Sequence, residues 1–592
     1  MKKSISKIVM SLALLFAASG ASALPPVFGP EYDNGMAQKD ELDRAYISPV
    51  RIVWVSAGSD GTLVRDAENL LRPGNSQAEM SRRNTCQMKS TENEKASIML
   101  DYGKELHGGL QLVLGSSRRQ PSLVRIRFGE SVGEANSETN NSAWKVGFST
   151  DDHAKRDIIM EIPRDGLIEI GNTGFRFVRI DLLDNTNISI KEARAVLRYR
   201  DISYLGSFNS SDERLNRIWM TGAYTVHLNM QEYLWDGIKR DRVIWLGDMH
   251  PELMTITKVF GYNEVIPKSL DLVIDQFPLP QWMNGISTYS LWYLICHNDW
   301  YMQNGDIDFL KKHEDYIIGL IELVSSMVNE DGTEKLSEKG FLDWPASPNK
   351  KGVEAGCRAL VVWSMKDAAK LCKVLGRPDV AAVCDDVIRR MNNDVKDPND
   401  LKQAAALMAI AGIMPAKQAA DEVVAVGGPK NFSTFYGYYM LQSLALAGEY
   451  ETAMDIISQY WGGMLDMGAT TFWEDFNLDW TVNAARLDEI TPEGKKDIHG
   501  DFGAYCYPGF RHSLCHGWSS GPTAWMTEHV LGIKILDPGC KTVRIEPNLG
   551  NLEWVEGTFP TPHGVISVKH TKDKDGKVIS KVDVPRGIKV IK

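Results

Sequence analysis

The sequence predicts three structural units in series: an antiparallel β-sandwich, a large helical unit built of hairpins, and a small β-domain. Three observations carry this. Between about 45 and 205 the apolar runs are short and strand-like, and between about 211 and 533 they recur at helical spacing. From about 537 the strand texture returns. At 592 residues the chain has length for more than one domain.

In the first unit the runs are Val50–Ser56, Ala96–Leu100, Gly109–Leu114, Leu123–Phe128, Ile158–Ile162, Leu167–Ile170, Phe175–Leu183 and Ile188–Tyr199. Alternation such as Val124-Arg125-Ile126-Arg127-Phe128 has the period of a sheet with one wet face. Gly, Asn and Asp separate the runs at hairpin spacing, as in a sandwich. Such sandwiches often bind carbohydrate, but no binding face is visible in these residues, so a packing module is the reading.

The second unit opens with Ser211 and Glu213, an N-terminus signal ahead of Leu215, Ile218, Trp219 and Ala223. Further helices are expected at about 287–304, 306–329, 353–375, 379–393, 401–412, 416–425, 433–447, 450–461 and 519–532. Gly356, Gly376-Arg377-Pro378, Gly412, Pro415 and Gly448 punctuate them. Stacked hairpins of this kind make either a solenoid or a closed α/α toroid, and the lack of a fixed repeat length weakens the solenoid. The tail adds strands Thr542–Ile545, Gly564–His570 and Val578–Val584, with Asp573-Lys574-Asp575-Gly576 as a hairpin turn. The expected boundaries are 24–205 for the sandwich and its preceding segment, 206–535 for the helical domain, and 536–592 for the C-terminal β-domain.

Residues 1–23 read as a cleavable signal peptide. Lys2, Lys3 and Lys7 precede an apolar run, Ile8–Ala18, too short to span a bilayer, and Ala21-Ser22-Ala23 is a small-x-small cleavage site. The expectation is a periplasmic or secreted protein cut near Ala23, without membrane insertion. The formal charge of −11 becomes more negative when three lysines leave with the leader, and no basic tract remains. Nucleic acid is therefore excluded as a partner. Eight scattered cysteines make no disulfide framework and no zinc spacing, so no metal or cofactor is expected. Cys506 and Cys515 either bridge after export or remain buried thiols. The sequence does not separate a monomer from a homodimer.

The densest chemistry lies in Asp236–Asp248, where thirteen residues hold Asp236, Asp241, Asp248, Lys239, Arg240, Arg242 and Trp245. Charges beside an apolar run suit a site where low-dielectric walls move carboxylate pKa values apart. Thirteen of the sixteen tryptophans lie between 211 and 533. Three share loops with acids: Trp245, Trp344 with Asp343, and Trp473 with Glu474 and Asp475. A fourth loop, Ser513–Pro522, carries His516 and Trp518. Indole plates suit the C–H face of a sugar ring. Two carboxyl groups across a glycosidic bond are the minimum apparatus for its hydrolysis. There is no Walker loop, GxGxxG or HExxH in the chain.

These four loops in this order resemble bacterial α-L-rhamnosidases of glycoside hydrolase family 78. The phrases His516-Gly517-Trp518-Ser519-x-Gly521-Pro522 and Asp-x-x-x-Arg-acid-Arg before Trp-x-Gly-Asp carry the resemblance, with Leu100–Gly108 and Arg127–Ser131 in the β-part. The resemblance implies an inverting enzyme with an (α/α)6 toroid. By position it makes Asp241 the general acid and Glu474 the general base. Asp236, Arg240, Asp248 and His516 would hold the carbohydrate substrate, and Trp245, Asp343, Trp344, Trp473, Trp518 and Trp300 would line the pocket. The chain departs from many members, which read Asp-Cys-Pro-Gln-Arg-Asp-Glu-Arg, by being one residue shorter and by placing a single acid between Arg240 and Arg242. At least one of Arg240 and Arg242 is expected to turn from Asp241 toward Asp236 or Asp248. Two other readings remain: a related toroid glycosidase or a polysaccharide lyase using Tyr289, Tyr505 or His516, and a catalytically silent sugar-binding protein.

Overall fold

The computed structural model describes residue 27 and residues 40–591, apart from residues 60, 79–82, 116–120 and 139–155. The expected leader lies outside the described residues.

Nine strands form one hydrogen-bonded network: β1 (Asp43–Ile47), β2 (Arg51–Val55), β3 (Val64–Arg65), β4 (Cys86–Lys89), β5 (Ser97–Gly115), β6 (Ser122–Gly129), β7 (Asp157–Ile162), β8 (Gly166–Leu182) and β9 (Asn187–Tyr199). Their order is β3-β4-β9-β5-β8-β6-β7, with β1 on β9 and β2 on β5. All these pairings are antiparallel. The long strand β5 shifts register against β8 between Asp101 and Leu106 and again after Gly108, as bulges do where a strand bends. Gly108 has φ +145°, and a Cβ there would lie 1.8 Å from the Val196 carbonyl, so only glycine fits the crossing with β9. Val124, Ile126 and Phe128 are buried as the alternation predicts. The opposite face is drier than expected: Arg127 is buried and paired with Asp181 at 2.7 Å.

The helical unit contains the helices Glu213–Asn229, Leu246–Val259, Val265–Gln276, Ser287–Asn304, Glu314–Ser326, Lys350–Val374, Pro378–Met391, Lys402–Ile410, Gly437–Leu446, Tyr450–Asp466 and Gly521–Trp525, the last continuing as a π-turn to Val530. Six of them contact in a closed circuit: Leu246–Val259, Ser287–Asn304, Lys350–Val374, Lys402–Ile410, Gly437–Leu446, Gly521–Trp525, and back to the first. The first helix is capped by Asp212, which accepts from the amides of Arg214 and Leu215. Ser211, the expected cap region, instead takes the Glu553 amide from the C-terminal part. The expected helix 306–329 is broken at His313, whose ring bonds His297 and Asp271.

The helices Leu246–Val259 and Val265–Gln276 were not expected from the sequence. The first contains Pro251 and buries Asp248, His250 and Glu252, so its polar residues do not mark a wet face. At the chain's end, Trp554–Thr561, Gly564–Lys572 and Val578–Asp583 form a sheet whose edge strand is Ser207–Ser210, from the head of the helical unit. The turn at Asp573 is as expected, its carboxylate accepting from the amides of Asp575 and Lys577. All eight cysteines are buried free thiols, so Cys506 and Cys515 are not bridged. Among the described residues no helix is long and apolar enough to cross a membrane.

Candidate active site

The N-terminal ends of the circuit helices carry the site. Asp248 sits in the first turn of Leu246–Val259 and Tyr289 in that of Ser287–Asn304, where unpaired amides favour negative charge. Trp344 lies in the loop before Lys350–Val374, and Trp518 just before Gly521–Trp525. Together with Glu474 and the 506–516 loop they enclose a cavity of about 450 Å³, within the usual range for a small ligand.

The stretch after Glu213–Asn229 turns sharply. Asp241 and Arg242 both have left-handed backbones, φ +56° and +55°, a conformation that costs non-glycine residues energy and clusters at functional sites. Gly237 forms a bridge with His516, and a Cβ there would meet the Cys515 carbonyl at 3.2 Å and the His516 ring at 3.3 Å. The missing side chain is what lets the two loops touch. Gly517 donates its amide to the Asp236 carbonyl (2.9 Å), and Asp236 Oδ1 accepts from Val243 (3.1 Å).

Arg240 is the hub. Its Nη2 pairs with Glu474 Oε1, its Nη1 lies 3.3 Å from Asp241 Oδ1, and its Nε donates to the Arg511 carbonyl at 3.2 Å. The guanidinium also lies over the Tyr507 ring, 5.2 Å from its centroid. Burial works against the guanidinium charge, but Glu474 and Asp241 hold its pKa above arginine's ordinary value. The expected turn of an arginine toward Asp236 or Asp248 is not what stabilises those acids. Arg240 is drawn to Glu474, Arg242 donates to the Asn172 carbonyl of the sheet (2.9 Å), and His516 takes the expected place. His516 Nε2 stands 3.7 Å from Asp236, 3.9 Å from Asp248 and 3.6 Å from Glu474. Burial lowers the His516 pKa, but these three carboxyls outweigh it and raise it.

Glu474 is held at both ends. Its Oε2 accepts from the Ser513 amide (3.1 Å), while its carbonyl accepts from Trp518 Nε1 (3.0 Å) and Thr434 (2.6 Å). Burial pushes Asp236 up to about 6, with His516 opposing. Burial also pushes Asp248 up to about 8, with His516 opposing and Asp236 adding to it, although Tyr289 donates to it at 3.0 Å. Burial thus favours the protonated form of Asp248, in which the side chain can donate as well as accept.

Asp236, Arg240, Asp241, Trp245, Asp248, Trp344, Glu474, His516 and Trp518 all line the cavity. Three expected residues do not. Asp343 is buried behind the wall, accepting from Gln403, Ser433 and the Ala346 amide, so it fixes the loop that presents Trp344. Trp473 packs edge-on to Phe476 and His512. Trp300 is core in the last turns of Ser287–Asn304, against Tyr262. Sequence reading missed Arg511, Tyr507, Cys506, Lys339 and Ile286, and gave Tyr289 only as a lyase base. Arg511 and Tyr507 stand just ahead of the Ser513–Pro522 loop, a cation and an aromatic that could have signalled them. Ile286, at a helix start, gives no signal.

Residues 203–397 match the bacterial alpha-L-rhamnosidase 6 hairpin glycosidase domain, and residues 532–591 the bacterial alpha-L-rhamnosidase C-terminal domain. An alpha-L-rhamnosidase of Alteromonas sp. (strain LOR) is 24% identical over 588 residues, covering 89% of this chain and 59% of that protein. The chain thus spans about three-fifths of that relative's length. A GH78 family rhamnosidase of Bacillus sp. GL1 superposes with a TM-score of 0.72 at 21% identity, over 89% of this chain and 55% of that one. A rhamnosidase from Klebsiella oxytoca with rhamnose bound gives a TM-score of 0.64 at 19% identity, over 82% of this chain and 96% of that one. The chain resembles the α-L-rhamnosidases of glycoside hydrolase family 78 in its helical and sheet domains alike.

Proposed function

We propose that this relative of the family 78 rhamnosidases is an inverting glycoside hydrolase that releases terminal α-L-rhamnose from a glycan or glycoside. Its helical part, about 206–535, is an (α/α)6 toroid, a reading supported by the closed circuit of six helices. A β-sandwich precedes it and a small β-domain, from about 536, follows. The leader-like residues 1–23 support export to a periplasm or beyond.

The observation that carries the reading is two carboxylates from separate loops, Asp241 and Glu474, facing one aromatic-walled cavity on either arm of Arg240. Glu474 is the general base. It pairs with Arg240 and accepts from the Ser513 amide, and it takes a proton from a water on one face of the sugar. Asp241, with its side chain 20% exposed at the cavity, gives its proton to the leaving oxygen on the other face. Inversion needs room for that water, about 6.5–9.5 Å between the carboxyls. Asp236, Asp248 and His516 bind hydroxyls, and Trp245, Trp344 and Trp518 form the walls.

A lyase needs a base that is free of its proton. Burial raises the pKa of Tyr289 and Tyr505, and neighbouring carboxyls raise that of His516, directions that work against each of them as a base. A second reading has a specific observation behind it: Arg240 reaches Asp241 as well as Glu474, and a paired Asp241 is a poor acid. That leaves a sugar-binding protein without turnover. The test is release of rhamnose from an aryl α-L-rhamnoside by the wild type, Asp241→Asn and Glu474→Gln, with NMR of the first-formed anomer. Inverted product from the wild type alone supports both roles. Rhamnose binding without release establishes the second reading, and retained configuration refutes the acid–base assignment.

A further inference from the structure

We propose that Lys239 is a positioning residue, a buried cation through which two carboxylates of the sheet domain hold both acid–base loops in register. The inference rests on the function proposed above for its kinetic arm only.

Lys239 is 2% exposed. Its Nζ lies 3.2 Å from Glu130 Oε2 and 3.0 Å from Glu134 Oε1, both just after β6 of the sheet domain. The same ammonium donates to the carbonyls of Phe510 and His512 (2.8 Å for the latter), in the loop leading to Ser513. Glu130 reaches that loop a second time, accepting from the Leu514 amide at 2.8 Å. Two short relays follow. From Lys239 the chain passes to Arg240, which grips Glu474, and to Asp241. From Leu514 it passes to Ser513, whose amide holds Glu474 Oε2. Two loops separated by more than two hundred residues thus share one anchor on a third segment.

The charges explain why the anchor must be a cation. Glu130 and Glu134 are buried carboxylates facing two buried cations, Lys239 and Arg156, whose Nε is 3.2 Å from Glu134 Oε1. Glu105, next to them, is pushed well up by burial and then by Glu130. Donor atoms of Glu130, Glu134 and His499 lie within 4.8 Å of one another, close enough to share one cation. His499 is committed elsewhere, with Nδ1 2.8 Å from Ser131 Oγ and Nε2 2.8 Å from the His512 carbonyl. The Lys239 ammonium therefore does the work of a bound cation while tied covalently to the acid's own loop. Without it, two buried carboxylates face a single guanidinium, and the loops they hold must shift. A displacement of about 1 Å at reacting groups costs on the order of a hundredfold in rate.

The experiment compares the wild type with Lys239→Ala and with the charge-balanced Lys239→Met/Glu130→Gln. On an aryl α-L-rhamnoside, Lys239→Ala is expected to lose about a hundredfold in kcat with KM changed far less. Methylammonium chloride should restore about tenfold of that loss, where tetramethylammonium chloride, too large for the hole, should not. The double variant should exceed Lys239→Ala in kcat. Where the single variant fails to fold, the double variant is compared with the wild type instead, with kcat and the 237–241 and 510–514 exchange expected nearer to wild type than a full hundredfold loss allows. Hydrogen exchange of the 237–241 and 510–514 amides should rise in Lys239→Ala and fall again with methylammonium. That readout needs no turnover, so an inactive wild type would refute the proposed function and leave the anchor to be judged on exchange. An unchanged kcat, a loss that neither methylammonium nor Glu130→Gln repairs, or unchanged exchange would overturn the proposal.

Discussion

Asp248→Asn tests the electrostatics of the site without a substrate. Asp248 is 3% exposed, accepts from Tyr289, and has its pKa pushed from 3.8 to about 8 by burial. A carboxyl whose folded pKa lies above its unfolded value binds more protons folded than unfolded between the two. Its stabilising contribution is therefore complete below about pH 4 and is lost as pH rises toward 8. At about 1.36 kcal/mol per pH unit, the three units from pH 5 to pH 8 amount to about 4 kcal/mol. The substituted asparagine keeps an acceptor for Tyr289 and has no proton to lose. Stability of the variant minus that of the wild type should therefore climb by about 4 kcal/mol between pH 5 and pH 8 and level off above it. Urea unfolding of both proteins across that range measures it, and the subtraction removes every group the two share. A flat difference would mean that Asp248 is ionised throughout. It could not then donate to a sugar hydroxyl at neutral pH, and the division of labour among the carboxyls would have to be redrawn.

Arg240→Met leaves Glu474 buried with only the His516 ring, 3.6 Å away, as a possible counter-ion, which should cost about 3–5 kcal/mol in urea unfolding and abolish turnover; near-native stability would mean that His516 alone suffices to hold Glu474. Gly517→Ala places a methyl carbon 1.5 Å from Glu252 Oε1, between His516 and Trp518. It should destabilise by about 1–3 kcal/mol and lower kcat, and a variant of native stability and rate would show that the loop has slack. Trp300→Phe should lower the melting temperature while leaving KM within about twofold, because Trp300 is core. Trp344→Ala should raise KM by about three- to tenfold, the value of one aromatic contact to a ligand. Equal KM effects for the two would return Trp300 to the site.

What was legible in the sequence follows a physical line. Residues whose chemistry is concentrated locally, such as Asp236, Arg240, Asp241 and Asp248 among apolar neighbours, could be picked out and do meet in the cavity. Residues whose role depends on which way a loop turns could not. Asp343 and Trp344 are neighbours, yet the acid points back to Gln403 and Ser433 while the indole faces the cavity. Trp300 lay at helical spacing, where an indole is normally core, and its packing follows that rule. The helix Leu246–Val259 escaped because its polar residues are buried rather than turned to water, Asp248 at the cavity and His250 against Tyr439 and Asp299, which erases the amphipathic period on which helix recognition depends. Strand alternation had the same weakness at Arg127, a charge on a face that turns out to be buried and paired.

These failures share a cause that bears on how the protein works. Periodicity reports where water is, and this chain repeatedly puts charge where water is not. Arg127 with Asp181, Lys239 with Glu130 and Glu134, Arg240 with Glu474, and His516 among three carboxyls are all dry. Buried pairs add little net stability over apolar packing, because desolvation cancels much of the attraction. Their partners, however, cannot be exchanged at low cost. Three of these four sets tie together segments far apart in the chain, and Lys239 and Arg240 are adjacent residues gripping different domains. A catalytic pair supplied by loops needs its geometry fixed by something less deformable than the loops. Interlocked buried charges supply that rigidity, which is why the sheet domain's carboxylates belong to the description of the site as much as the acids that line the cavity.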